Sequence, residues 1–132
     1  MSAPPSAESR YRPGACNIGG SERRRRYRYA AVAFAAAAAY LAAVLVVGAP
    51  TFLLAGLFVP FSLGTEWALQ ARRSFCASLA LSGRYSFDGD GGEVDDADAH
   101  RSDRNAGLVF AGLGILAGAV ATGIVYGAVA LL

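Results

Sequence analysis

Two cysteines are the residues whose chemistry stands out first. Cys16 and Cys76 are the only thiols among the 132 residues, and each has arginines close to it in sequence. Because a positive field favours the thiolate form, we consider the two cysteines as a redox or sulfur-carrying pair. The alternative is that both pack as small apolar residues where the N-terminal tail meets the helices, since free cysteine is commonly buried.

Glu66 is the only ionisable residue inside an apolar stretch. A carboxylate within a membrane is a functional candidate by default, as a proton or ion site. Glu66 lies near the end of its stretch, however, where Arg28 or Arg72 is available to pair with it. We favour this structural ion pair, because ion transport normally needs more intramembrane polar groups than Glu66, Ser62 and Thr122.

Other catalytic and metal chemistry lacks the residues that it needs. The single histidine leaves no set of nucleophile, base and acid. Structural zinc takes four ligands, and Cys16, Cys76 and His100 make only three. The acidic run that begins at Asp88 fails the EF-hand pattern, because glycine stands fifth in it and Glu93 sixth. We therefore expect a non-enzymatic protein without a metal or cofactor.

The distribution of charge predicts the elements that must hold these residues. Only 17% of the residues are charged, against about 25% in soluble domains, and residues 29–65 and 106–132 carry no charge at all. A small soluble protein could not bury two such stretches, whereas a bilayer can. The sequence predicts an all-α membrane protein, a helical hairpin plus a third glycine-rich transmembrane helix, with spans at about 29–47, 51–71 and 106–132.

The remaining segments are polar. Residues 1–20 are rich in Ser, Pro, Gly and Ala, and we expect them to form a disordered N-terminal tail. The three-helix membrane domain then covers residues 21–132. Within it, residues 84–105 hold most of the acidic side chains, and we expect this segment to be a solvated cytoplasmic loop.

Glycine and proline mark the expected ends and bends of the helices. Gly48 followed by Pro50 signals the hairpin turn. Pro60 should bend the second span. We expect the second helix to continue over residues 74–82 along the membrane surface and to stop at Gly83.

Arginine predicts the orientation. All 12 basic residues are arginine; seven precede the first span and five lie between the second and third. Three spans place every arginine on one side, which the positive-inside rule makes cytoplasmic. We expect a cell-membrane protein with its N-terminus inside and its C-terminus outside. The cluster at 23–28 followed by an apolar run could also be a cleaved secretory signal, but the run is too long and leads into a second one.

The arginines beside the spans are candidates for contact with anionic lipid headgroups. They are Arg23, Arg24, Arg25, Arg26, Arg28, Arg72 and Arg73. A purely topological role is the alternative, and both can hold. The run is too short to predict nucleic-acid binding beside a membrane.

The third span carries two G-x-x-x-G motifs, formed by Gly114 with Gly118 and by Gly123 with Gly127. Such motifs let a second helix approach closely within lipid. The partner is expected to be the alanine-rich first span, the same helix in a second copy, or a larger membrane protein. The leading hypothesis is accordingly a non-catalytic, multi-pass membrane protein that acts by helix packing; a thiol accessory and an ion-coupled subunit are the alternatives.

The flanks of the hairpin also resemble a known family. The letters CNIG at 16–19 precede Glu22 and the arginines, and FC at 75–76 precedes LSG at 81–83. This pattern resembles the small two-helix membrane domain of unknown function that occurs alone or fused to rhodanese-type sulfurtransferases.

The resemblance covers residues 16–83 and stops there. The chain has no rhodanese domain, and Ala77 stands where the family usually has proline. The resemblance implies a membrane domain that can dimerise. It implies no catalytic residue. The residues that match do so as motif residues only: Cys16, Asn17, Gly19, Glu22 and Cys76.

Overall fold

The computed structural model describes residues 11–87 and 90–132. In this part of the chain three helices are long and apolar enough to cross a bilayer: Gly20–Val47, Thr51–Arg73 and Ala97–Ala130. The chain is therefore an all-α, multi-pass membrane protein, which confirms the fold class, and the described residues add a small two-stranded sheet. The first half of the expected tail and Asp88 with Gly89 lie outside the described residues.

Helix α1 (Gly20–Val47) combines the arginine cluster and the first apolar span in one element of 28 residues. Glu22 lies in its first turn, where a negative charge suits the helix dipole. The helix ends at Gly48, which adopts the left-handed conformation with φ of 65°. This conformation confirms the turn predicted at Gly48. Because the arginine cluster belongs to the same helix as the first span, the helix holds the arginines in place relative to that span.

The second span begins as a 3-10 helix (Thr51–Leu57) and continues directly as helix α2 (Phe58–Arg73). Pro60 is the third residue of α2, where its missing N–H would have no partner within that helix. The sequence predicts a bend at Pro60. The irregularity of the second span instead lies before Pro60, where the 3-10 helix changes to an α-helix.

The second helix does not continue through residues 74–82, contrary to expectation. Ser74 takes the left-handed conformation with φ of 54° and ends α2. A separate short helix, α3 (Ala77–Ser82), follows and ends at Gly83, which confirms the predicted stop. The break leaves Phe75 and Cys76 in an extended link between two helices.

The described residues of the segment 84–105 form regular structure and not the expected loop. Strand β1 (Arg84–Phe87) pairs antiparallel with β2 (Asp90–Glu93), and helix α4 (Ala97–Ala130) begins nine residues before the predicted third span. The reason is capping: the Asp96 carboxylate accepts hydrogen bonds from the backbone N–H groups of Asp98 and Ala99, which stabilises a helix start. Asp96 and Asp98, whose sequence context is typical of a loop, thus form part of a helix N-terminus.

The described half of the expected tail is ordered, so that prediction is wrong for residues 11–20. Asn17 and Ile18 are buried, with 0% and 1% of their surface exposed. Ile18 bridges to Ser86, and the backbone N–H of Asn17 donates to the Ser74 carbonyl at 3.0 Å. Long-range partners order a segment whose composition alone is typical of disorder.

Helix α2 lies in the centre, because it packs against both α1 and α4. The buried apolar cluster lies near the hairpin turn and consists of Ala37, Val44, Leu54 and Leu57. At the other end of the molecule, where α1 begins and α2 ends, hydrogen bonds of polar side chains join the elements around buried apolar residues such as Ile18 and Phe75. The candidate site lies at this end.

Candidate functional site

The candidate site is built around the peptide of Cys76. The Asn17 side chain donates from Nδ2 to the Cys76 carbonyl at 3.1 Å, and the Cys76 N–H donates to Asn17 Oδ1 at 2.7 Å. Both residues are buried. Because the chain leaves helix α2 at Ser74, the Cys76 N–H has no helical partner and bonds to Asn17 instead. The Cys76 carbonyl accepts both from Asn17 and from the Ala80 N–H at 3.0 Å.

The Cys76 sulfur contacts a guanidinium. Nη2 of Arg26 donates to Cys76 Sγ at 2.9 Å, and only 3% of Cys76 is exposed. A cation beside a sulfur stabilises a thiolate more than a thiol. The structure thus gives one of the two predicted thiols an arginine partner, from the cluster that the sequence placed near it.

The Arg26 guanidinium uses three of its nitrogens in the site. Nη1 donates to Glu22 Oε2 at 2.9 Å, and Nε donates to Gln70 Oε1 at 3.3 Å. The side chains of Arg26 and Glu22 are only 14% and 15% exposed. Glu22 therefore balances a largely buried positive charge, as a buried ion requires.

Glu66 is linked to this cluster through an amide and not through an ion pair. Gln70 accepts from Arg26 and donates from Nε2 to Glu66 Oε1 at 3.0 Å. Within the described residues Glu66 has no salt bridge to Arg28 or Arg72, so the favoured ion pair is wrong. Gln70 lies one helical turn from Glu66, where it can bond with Glu66 and still reach Arg26.

Cys16 lies in the same ordered segment as Asn17 but in a different environment. It is half-buried, and its Sγ lies 3.9 Å from the Ile18 carbonyl oxygen. Both cysteines are free thiols. The arginine contact thus distinguishes Cys76 from Cys16, which the sequence treated as equivalent.

The structure divides the predicted arginine set in two. Arg23 Nε donates to the Ala71 carbonyl at 2.9 Å, near the C-terminus of α2, and Arg25 pairs with Glu22 at 3.1 Å. Arg23 and Arg26 thus join different parts of the fold, whereas Arg25 is exposed and forms only a surface pair within its own helix. The other members are exposed and form no ion pair with a described residue: Arg24, Arg28, Arg72 and Arg73.

A buried carboxylate that the sequence analysis missed fastens the N-terminal segment to α4. Asp103 is fully buried; it accepts from the Tyr11 hydroxyl and from the Gly14 N–H at 2.6 Å. Burial, followed by the Asp103 carboxylate, raises the pKa of Tyr11. The sequence did contain a signal: Asp103 lies at helical spacing before Gly107 and Gly114, on the same face of α4. All three residues are buried.

The two glycine motifs of α4 have different surroundings. A Cβ added at Gly114 would lie 3.3 Å from the Glu66 Cβ, and one at Gly118 would lie 2.9 Å from the Ser62 Cα. The partner of this motif is α2, and not the alanine-rich first span. Around Gly123 and Gly127 no atom lies within 4 Å of such a Cβ.

A metal site does not emerge from the residues that the structure describes. No three of their His, Cys, Asp and Glu side chains converge. His100 packs against Gly83, with its Nε2 3.4 Å from where a Cβ of Gly83 would be.

Comparisons with known proteins add no relative. No family model matches the sequence, and no curated protein or solved structure matches it. The arrangement of Asn17, Cys76 and Arg26 therefore has to be interpreted from its own geometry.

Proposed function

We propose that the protein is a non-catalytic membrane protein that acts through helix packing, with a second copy or a larger membrane partner on helix α4. The observation that carries this proposal is the open motif of Gly123 and Gly127. Both residues are exposed and have no neighbour within 4 Å of an added Cβ, while the preceding motif is already occupied by α2.

Small residues matter in this setting because lipid removes the usual driving force for association. Within a bilayer, helices associate by close van der Waals packing, which glycine permits by letting two backbones approach. An open G-x-x-x-G face is therefore typical of a helix that meets another helix.

Leucine substitutions test the packing proposal. Gly123→Leu with Gly127→Leu should abolish dimers or co-purifying partners in mild detergent. Ala128→Leu is the matched control, because Ala128 is an exposed small residue on a different side of α4. A wild-type protein that is monomeric and purifies alone would contradict the proposal, as would a double variant that assembles normally.

We also propose that the arginine-bearing end faces the cytoplasm, with the C-terminus outside the cell membrane. The support is the positive-inside rule, together with the Arg23 to Ala71 and Tyr11 to Asp103 contacts, which gather the start of α1, the end of α2 and the start of α4 at one end. A reporter fused after Leu132 that is active only in the cytoplasm would refute this orientation.

A second candidate function is a thiol-based redox or sulfur-relay accessory. The contact between Arg26 and the Cys76 sulfur at 2.9 Å favours it, and the resemblance over residues 16–83 to the domain fused to sulfurtransferases agrees with it. The family assignment is itself part of this proposal.

Alkylation kinetics test the thiol proposal. In a Cys16→Ser background, Arg26→Gln should change the alkylation rate of Cys76 relative to the parent protein, because the guanidinium contacts the sulfur. Arg25→Gln is the control, since Arg25 contacts Glu22 but not the sulfur. Identical rates for the parent and Arg26→Gln would remove this candidate.

A further inference from the structure

A groove of about 360 Å³ lies beside the arginine-bearing end of the helices. Helix α2 contributes Leu69 and Arg73, helix α4 contributes Val109 and Leu113, and the N-terminal segment closes the polar end at Gly14. The groove thus has one charged end and otherwise apolar walls.

The charged end is Arg73, the last residue of α2. Its side chain is exposed and forms no ion pair with a described residue. The buried acid of this region, Asp103, is already bonded to the Tyr11 hydroxyl and the Gly14 N–H. The Arg73 guanidinium is therefore available to an anion from outside the chain.

The apolar walls lead from Arg73 towards the middle of the spans. Leu69 is one helical turn before Arg73, and α4 descends alongside, since Gly107 approaches Ala77 while Gly114 approaches Glu66. Val109 and Leu113 are one turn apart on α4 and are 61% and 47% exposed. Because both lie on a membrane-spanning helix, their exposed surface faces hydrocarbon.

The floor of the groove is rigid. The ring of Phe110 stacks on that of Phe75 with centroids 5.1 Å apart, and Phe75 is completely buried. A preformed apolar floor reduces the ordering that a flexible molecule must otherwise impose on its site.

We propose that this groove binds one anionic phospholipid from the surrounding leaflet. The phosphate bonds to the Arg73 guanidinium, which suits phosphate oxygens in number and geometry of donors. The beginning of an acyl chain lies along Leu69, Val109 and Leu113. A soluble phosphate would use only the charged end, and most of the groove surface would stay unused.

Two neighbouring arginines provide the decisive comparison. Purified protein is mixed with phosphatidylglycerol in mild detergent, and bound lipid is quantified by native mass spectrometry, with phosphatidylcholine as the zwitterionic reference. Arg73→Gln should weaken phosphatidylglycerol binding about tenfold, since the charge-assisted hydrogen bonds to the phosphate are lost. Arg72→Gln removes the same charge one residue away, outside the groove, and should change binding less than twofold.

A second variant tests the apolar part separately. Val109→Trp fills the groove from an exposed position and leaves Arg73 intact, so it should also weaken phosphatidylglycerol binding. Inorganic phosphate at millimolar concentration should not displace the lipid. Equal losses for Arg72→Gln and Arg73→Gln, normal binding by Val109→Trp, or displacement by phosphate would each overturn the proposal; if Arg73→Gln does not fold, Val109→Trp decides.

Discussion

Asn17 shows how one polar side chain shapes this end of the molecule. Its amide forms hydrogen bonds with both the N–H and the carbonyl of Cys76, which places the thiol beside Arg26. The same residue connects to the sheet, because the Ser86 N–H donates to its carbonyl at 2.8 Å. Asn17 therefore joins three parts of the chain that are distant in sequence.

Asn17→Ala should destabilise the protein by about 1–3 kcal/mol, because the buried N–H of Cys76 loses its partner and such a loss costs about that much; the Cys76 carbonyl keeps the bond from the Ala80 N–H. Unfolding in mixed micelles with increasing denaturing detergent measures the change. Asn105→Ala is the control, as Asn105 is an exposed residue of α4 and should leave stability within about 0.5 kcal/mol of the parent. Equal effects of the two substitutions would contradict this role.

The Tyr11 to Asp103 bond predicts a loss of stability at high pH. Since the pKa of Tyr11 is raised in the folded protein, the stabilisation is complete below the ordinary tyrosine value of about 10. It decreases as the pH rises above that value, because the unfolded chain then gains the ionised form first.

Unfolding midpoints measured between about pH 8 and pH 11 test whether stability decreases as the pH rises, with Tyr11→Phe as the comparison. The variant should lose the decrease in stability that depends on Tyr11. A parent protein whose stability rises over this range relative to Tyr11→Phe would show that the sign is wrong.

At the scale of elements, α2 and α4 meet through glycine. Gly118 lets the backbone of α4 approach Ser62, where a Cβ would lie 2.9 Å from the Ser62 Cα. This contact sets the distance between the two helices, because the Cα and Cβ of Ser62 are fixed by the backbone and cannot rotate away.

Gly118→Ala should therefore force α2 and α4 apart and cost about 1–3 kcal/mol, the usual range for overpacking. Gly123→Ala adds the same methyl group where no neighbour lies within 4 Å and should be neutral or slightly stabilising. The same micelle unfolding measures both. If Gly123→Ala proved the more harmful of the two, the helix pairing described above would be incorrect.

The sequence predicts the three spans because hydrocarbon imposes a length and an absence of charge that hydropathy reveals. It does not predict where α4 begins, since Asp96 acts as a cap only in its folded context. Nor does it predict the partner of Gly114 and Gly118. Periodicity identifies a small-residue face, but which helix covers that face depends on the arrangement of all three.

The candidate site, too, is predicted only in part by the sequence. The types and spacing of Cys16, Cys76 and the arginines indicate a cluster near the membrane surface. Only the fold selects Arg26 for the Cys76 sulfur, because that contact depends on distances between elements that no local pattern in the sequence encodes. The bond between Gln70 and Glu66 differs, since the two residues are one helical turn apart in the sequence.

For the whole molecule, the two ends of the helix bundle are built differently. Apolar residues close the end near Gly48, while the end near Cys76 adds hydrogen bonds and arginines to its buried apolar residues. A chain with this asymmetry has one arginine-bearing end and one apolar turn on the far side. This arrangement requires all three helices to cross the membrane.

Accessibility of single cysteines tests that requirement directly. In a background of Cys16→Ser and Cys76→Ala, cysteine is introduced at Ala49, Ser102 or Leu132, and intact cells are treated with a membrane-impermeant maleimide. We expect labelling at Ala49 and Leu132 from outside, and labelling at Ser102 only after the membrane is permeabilised. Labelling of Ser102 and Leu132 from the same side would contradict the three-span account.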